Sequence, residues 1–188
     1  MTEADQCREP PVTDTLSGVA GTVQALLLKP SEQSRGQATL PLVPLAPGTG
    51  LALLPLTDQI VANVVNAGND DTPVAGFYNL TGAVGEWARL RSLHGVVAYL
   101  HTEFFGGGGF HAAVAWRDGA VAWGPLFTAT SAHEAENHYA VVADRRHMAG
   151  NMLLRWLGVR RTDEIDEFAA AGLSRCGWTE EWAARVVS

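Results

Sequence analysis

Residues 95–124 read GVVAYLHTEFFGGGGFHAAVAWRDGAVAWG, and this stretch restricts the fold more than any other. From 96 to 105 the side chains alternate. Val96, Ala98, Leu100, Thr102 and Phe104 share one face, and Val97, Tyr99, His101, Glu103 and Phe105 share the other. A period of two, rich in aromatic and β-branched residues, predicts a strand. The pattern resumes at 110–116, with Phe110, Ala112, Val114 and Trp116 on one side. Ala113 and Ala115 on the other side leave room for a second layer to approach closely. Asp118-Gly119 suits a tight hairpin turn, because both residue types tolerate positive φ. A third strand is predicted over 120–123, ended by Gly124-Pro125. The expectation is a three-stranded antiparallel meander.

Between the first two strands stand Gly106, Gly107, Gly108 and Gly109. A simple turn needs only one or two glycines, and each extra one costs conformational entropy on folding. One reading is a wide hairpin loop or bulge with several positive φ values. The other is a backbone that must come close to a ligand, an anion or a partner chain. No Gly-Lys-Ser/Thr follows, so the glycines do not form a P-loop. The segment after them is a strand and not a helix, which excludes a dinucleotide fingerprint.

Thirteen basic against twenty acidic residues give the 188-residue chain a formal charge of −7. An acidic surface argues against nucleic acid as a direct ligand and suits a basic protein partner. Cys7 and Cys176 are too few for a disulfide framework or a zinc site. The acidic start, Met1-Thr2-Glu3-Ala4-Asp5, is wrong for a signal peptide, and the apolar run 23–28 is too short to span a bilayer. A cytoplasmic protein without membrane association is expected, with no cofactor and no metal; its oligomeric state is left open.

Along the chain, 1–50 read as an N-terminal tail and a Pro/Gly-rich linker, within which 23–28 suit a helix or a strand. Pro41, Pro44 and Pro47 recur at every third residue, which favours an extended segment. Residues 51–188 read as a single α+β domain, an antiparallel sheet packed by helices on one side. Thr57 and Thr81 are predicted helix caps. The helix after Thr81 is expected to bury Val84, Trp87, Leu90 and Leu93. Ser131-Ala132-His133-Glu134 fits a capping box, opening a helix to about Met148. Another helix inward-faces Met152, Leu153, Trp156 and Leu157 and ends at Gly158. Thr162 and Thr179 are expected to cap two short helices.

Chemistry-bearing candidates cluster near the glycines. Tyr99, His101 and Glu103 lie on one face of a strand, and His111 begins the next strand. Two imidazoles and a carboxylate are the ingredients of an acid–base pair or a metal site. The competing reading is a solvated sheet face with cross-strand pairs. His133 and His138 are five residues apart, which separates them by well over a hundred degrees around a helix and defeats a zinc-helix reading. No serine or cysteine sits in a nucleophile frame. Asp163, Glu164, Asp166 and Glu167 read as a solvated helix start or a docking surface. As exposed anchors for a partner, the sequence nominates Tyr99, Phe105 and Trp123 beside the four glycines.

The series Leu54-Pro55-Leu56-Thr57-Asp58, Val97-Ala98-Tyr99, Glu103-Phe104-Phe105-Gly106-Gly107, Gly124-Pro125-Leu126, Leu157-Gly158-Val159, Asp166-Glu167-Phe168 and Gly172-Leu173 resembles a group of small uncharacterised bacterial proteins, over roughly 51–182. That group carries no established activity. In general character the chain also resembles the immunity proteins that bacteria keep beside protein toxins. What this implies is a non-enzymatic binding protein that docks on, and neutralises, a protein partner. The alternatives are a small hydrolase-like enzyme using Glu103 with His101 or His111, and an assembly subunit joined through a sheet edge.

Overall fold

The computed structural model describes residues 20–30, 40–65, 72–105, 108–132 and 138–186. One sheet runs through them. Its strands are β1 (Gly21–Pro30), β2 (Val43–Pro44), β3 (Ala52–Pro55), β4 (Gly95–Phe105), β5 (Gly108–Arg117), β6 (Ala120–Ala129) and β7 (Ala140–Val141). Their spatial order is β2-β3-β1-β4-β5-β6-β7. Every pairing is antiparallel except that of β6 with β7. The helices are α1 (Asp58–Ile60), α2 (Gly82–Arg91), α3 (Ala149–Trp156), α4 (Glu167–Ala170) and α5 (Thr179–Ala183). The fold is α+β around a mostly antiparallel sheet, as the alternating stretch predicts.

The meander β4–β5–β6 forms where the period of two places it. Asp118 and Gly119 take φ of 53° and 76°, the paired positive values of a two-residue hairpin. The third strand departs from expectation. It does not stop at Gly124-Pro125 but continues to Ala129 across register shifts opposite 113–116. Gly124, at φ 78°, supplies the irregular backbone there, and its bond to Pro125 is cis. A glycine followed by proline marks a bulge in this strand rather than its end.

The described part of 1–50 is not set apart from the rest. β1 pairs with β4 over its whole length and with β3 from Ala25 to Leu28, so 21–30 lie in the middle of the sheet. Both faces of β1 are buried: Val23, Ala25 and Leu27 on one side, Leu26 and Leu28 on the other. A strand covered on both faces loses its alternation, which is why 23–28 suit two structures in sequence.

Helices cover both faces of the sheet, not one. On the first face, Leu100, Ala113 and Ala115 pack with Leu153, Leu154 and Leu157 around α3, and with Phe168 and Trp182 of α4 and α5. On the second, Tyr99, Val114 and Trp116 pack with Val84 and Ala88 of α2 and with Phe77 and Leu80. The alanines of β5 let α3 come close. A Cβ built on Gly150 would stand 2.9 Å from His111 Nδ1 and 3.2 Å from Leu100 Cδ1.

Thr57 and Thr81 cap α1 and α2 by accepting from Ile60 N and Val84 N. Gly158, at φ 95°, follows α3 as expected. Other helical expectations shift. In α2 the buried positions are Val84 and Ala88, while Leu90 and Leu93 are exposed, because the i to i+4 row through 84 and 88 faces the sheet. Residues 138–148 form β7 and a short 3-10 turn at Arg145–His147 instead of continuing a helix; 133–137 lie outside the described residues. The cap of α4 is Asp166 rather than Thr162, and α5 begins at Thr179 with Trp178 before it. Among the described residues no helix is long and apolar enough to cross a membrane.

Candidate functional site

The register across the β4–β5 hairpin decides which candidate side chains meet. Phe105 pairs with Gly108, Phe104 with Gly109, Glu103 with Phe110, Thr102 with His111 and His101 with Ala112. Opposed residues share a face. His111 therefore joins Thr102 and Phe104 on the α3 face, while His101 and Glu103 stand on the other. The expected set of two imidazoles and one carboxylate is not assembled, because the sheet itself separates its members.

Each half has its own environment. His111 is buried, its ring 6.2 Å from Phe104 and 6.3 Å from Phe168 between centroids. Burial, with the positive fields of His101 and Arg145, pushes its pKa down to about 3. His101 is fully buried, edge-on to Phe110, with Nε2 3.2 Å from Glu103 Oε1. That contact lacks the direction of a hydrogen bond, and neither ring nitrogen of His101 has a hydrogen-bond partner. Burial pushes the imidazole down to about 4 and pushes the Glu103 carboxyl up. A neutral imidazole sealed behind a carboxyl with a quarter of its side chain exposed is the arrangement the sheet holds at neutral pH.

The nominated anchors separate in the same way. Tyr99 is fully buried with Phe77 edge-on at 5.5 Å, since it lies mid-strand beneath the α2 layer. Burial raises its phenol pKa. Trp123 is half-buried on the α3 face, 6.4 Å from Trp156, away from the glycines. These two side chains do not form part of a common surface with Phe105. Phe105 does reach solvent, with 42 % of its surface exposed. Gly108 and Gly109 are strand residues, whereas Gly106 and Gly107 lie outside the described residues. What comes close to Gly109 is its own chain. A Cβ there would meet Glu103 O at 2.2 Å, and Thr130 Oγ1 accepts from its N–H at 2.9 Å.

Around Phe105 the fold gathers residues that sequence reasoning missed. Tyr78, 46 % exposed, lies 5.5 Å from the Phe110 ring and 6.4 Å from Tyr139. Phe105 is 6.5 Å from Phe110, and Phe110 is 5.6 Å from Tyr139. Two exposed aromatics thus stand on two buried ones. Val141 and Trp178, also exposed, border the same end of the sheet, Val141 through its pairing with Ala129 and Trp178 through its bridge to Thr22. Beside Trp178 opens a cavity of about 480 Å³ bordered by Thr22, Gln24, Asp58 and Glu180. Thr22 pairs with Glu103, which in turn pairs with Phe110, so the carboxyl stands between the cavity and the aromatic group. Only tertiary packing joins Tyr78, Phe105 and Trp178; the sequence signal was limited to an aromatic beside a turn.

The acidic cluster also divides. Asp166 and Glu167 are buried rather than solvated. Asp166 Oδ1 accepts from Ala169 N at 2.9 Å, and Glu167 Oε1 accepts from Arg155 Nε at 2.9 Å. Of the His133 and His138 pair, His133 lies outside the described residues, and His138 Nε2 is 2.9 Å from Gly76 O. No family model, curated protein or solved structure matches the chain.

Proposed function

We propose that this chain is a non-enzymatic binding protein that docks on a basic protein partner, and neutralises it by covering the surface it uses. The observation that carries this reading is the end of the sheet where Tyr78 and Phe105 stand exposed over buried Phe110 and Tyr139. Rigid aromatics seated on a packed base make good anchors, because little side-chain entropy is lost when they are covered. Glu103 shares their end of the sheet, Asp58 and Glu180 border the cavity beside Trp178, and the chain's formal charge of −7 adds long-range attraction for a cationic partner. The cavity beside Trp178 has the acidic border that suits a lysine or arginine side chain.

The hydrolase-like alternative now rests on His101 with Glu103 alone. Its difficulty is access, since His101 is fully buried. The assembly-subunit alternative needs a free sheet edge; β7 pairs only with Thr128 and Ala129, so among the described residues 120–127 of β6 are the edge that reading would use.

Capture from native cells with quantitative binding tests the docking reading. The wild-type chain is expected to retain one basic protein in stoichiometric amount. Tyr78→Ala with Phe105→Ala is expected to weaken that complex by about a hundredfold, two anchor losses of about 1.4 kcal/mol each. Val121→Ser, at an exposed position on the far end of the meander, is expected to leave it unchanged. Equal affinity in the double variant would remove this face from the interface.

A further inference from the structure

On the opposite face of the sheet, α3 and the segment after it border an open hollow of about 400 Å³ lined by Met152, Arg155, Trp156, Arg160, Arg161 and Glu167. Three guanidiniums and one carboxylate meet there in a chain whose overall charge is −7. Arg155 is committed to Glu167, its Nε and Nη2 each 2.9 Å from Oε1. Arg160 and Arg161 have no such partner among the described residues. Arg160 donates Nη1 to the carbonyls of Arg155 and Val159 at 3.2 and 3.4 Å, and Arg161 donates Nη1 to Ile165 O at 3.3 Å. Each guanidinium has five N–H donors in a planar fork, so most of that capacity is unspent.

The hollow also has an apolar side. Trp156 is held in place by Trp123 at 6.4 Å and by the Arg117 guanidinium at 5.0 Å, while Met152 lies one turn earlier on α3. Glu167 is paired with Arg155 and, as an acceptor only, offers nothing to an anion, which leaves Arg160 and Arg161 as the donors.

From these features we infer a binding site for a small organic oxyanion, a phosphate ester or carboxylate with a planar or apolar body. The oxyanion engages Arg160 and Arg161, the body lies against Trp156 and Met152, and the volume fits a molecule of metabolite size. This site shares no residue with the docking face, so either stands without the other.

Isothermal titration of the full chain with phenyl phosphate, benzoate, inorganic phosphate and benzyl alcohol tests it. Phenyl phosphate or benzoate is expected to bind with submillimolar affinity and to perturb Trp156 fluorescence, the stronger of the two naming the natural anion. Inorganic phosphate, lacking the body, and benzyl alcohol, lacking the charge, are each expected to bind at least about tenfold more weakly. Arg160→Met with Arg161→Met, both exposed positions, is expected to weaken the aromatic anion by about tenfold or more. No binding of either aromatic anion up to about 10 mM, equal binding of benzyl alcohol, or unchanged affinity in a folded double variant would each overturn the site.

Discussion

Lowering the pH from 7 to 4 is expected to remove on the order of 3–6 kcal/mol from the unfolding free energy, most of it through His101 and His111. Both imidazoles are buried, on opposite faces of β4–β5, and burial disfavours their charged forms. In the unfolded chain each takes a proton near pH 6.5; in the folded chain only near 4 and 3. Between those values the unfolded state holds more protons, so stability falls as the pH falls through this window. Glu103 works in the opposite sense. Its carboxyl is pushed up by burial, so the folded state holds that proton more readily and gains stability once it binds. Asp144, held down by hydrogen bonds from Arg146, adds an acid loss only below the ordinary carboxylate range. A domain of total stability about 5–15 kcal/mol would approach unfolding in mild acid. Urea midpoints measured from pH 7 to pH 4 check this. His101→Leu with His111→Leu is expected to flatten the curve, whatever it does to stability at pH 7; an unchanged slope would show that the imidazoles are not the cause.

Gly109→Ala is expected to destabilise by about 3 kcal/mol or more, the scale of a severe backbone conflict. The new methyl would lie 2.2 Å from Glu103 O and 3.2 Å from Phe104 Cα, both backbone atoms that cannot swing away. Relief requires opening the β4–β5 pair at Phe104 and Gly109, the pair that fixes Phe105 and Phe110. The partner's affinity is therefore expected to fall along with stability. Gly85→Ala is the matched control. It lies inside α2, where a Cβ meets only Val74 Cγ2 at 3.8 Å, an ordinary contact. It is expected to gain about 0.5–1 kcal/mol from helix propensity. Urea unfolding of the two variants beside the wild type gives both signs in one experiment.

The meander was legible because its signals are local: alternation over 96–105 and 110–116, and Asp118-Gly119 between strands. β1 was not legible because both of its faces are covered, and a run such as Val23–Gln24–Ala25–Leu26–Leu27–Leu28 then has no polar side to reveal its period. The candidate site failed for a different reason. Each strand shows which of its own residues share a face, but only the length of the turn between strands shows which faces coincide. With Phe105 opposite Gly108, His111 falls in line with Thr102; a slip of one residue would have set it beside His101. Four glycines in a row hide where the strands end and the turn begins. The anchors Tyr78 and Trp178, and the arginines of the hollow beside α3, lie on segments whose meeting is a product of packing on the sheet.

The docking face is tested most directly by hydrogen exchange on the captured complex, compared with the free chain. Slowed exchange is expected at 77–79, 103–105 and 108–110, with the amides beside Trp178 joining them and those of 152–161 unchanged. Full exchange at 77–79 and 103–105 in a saturated complex, with protection confined to the α3 face or the outer strands, would contradict the proposed contact.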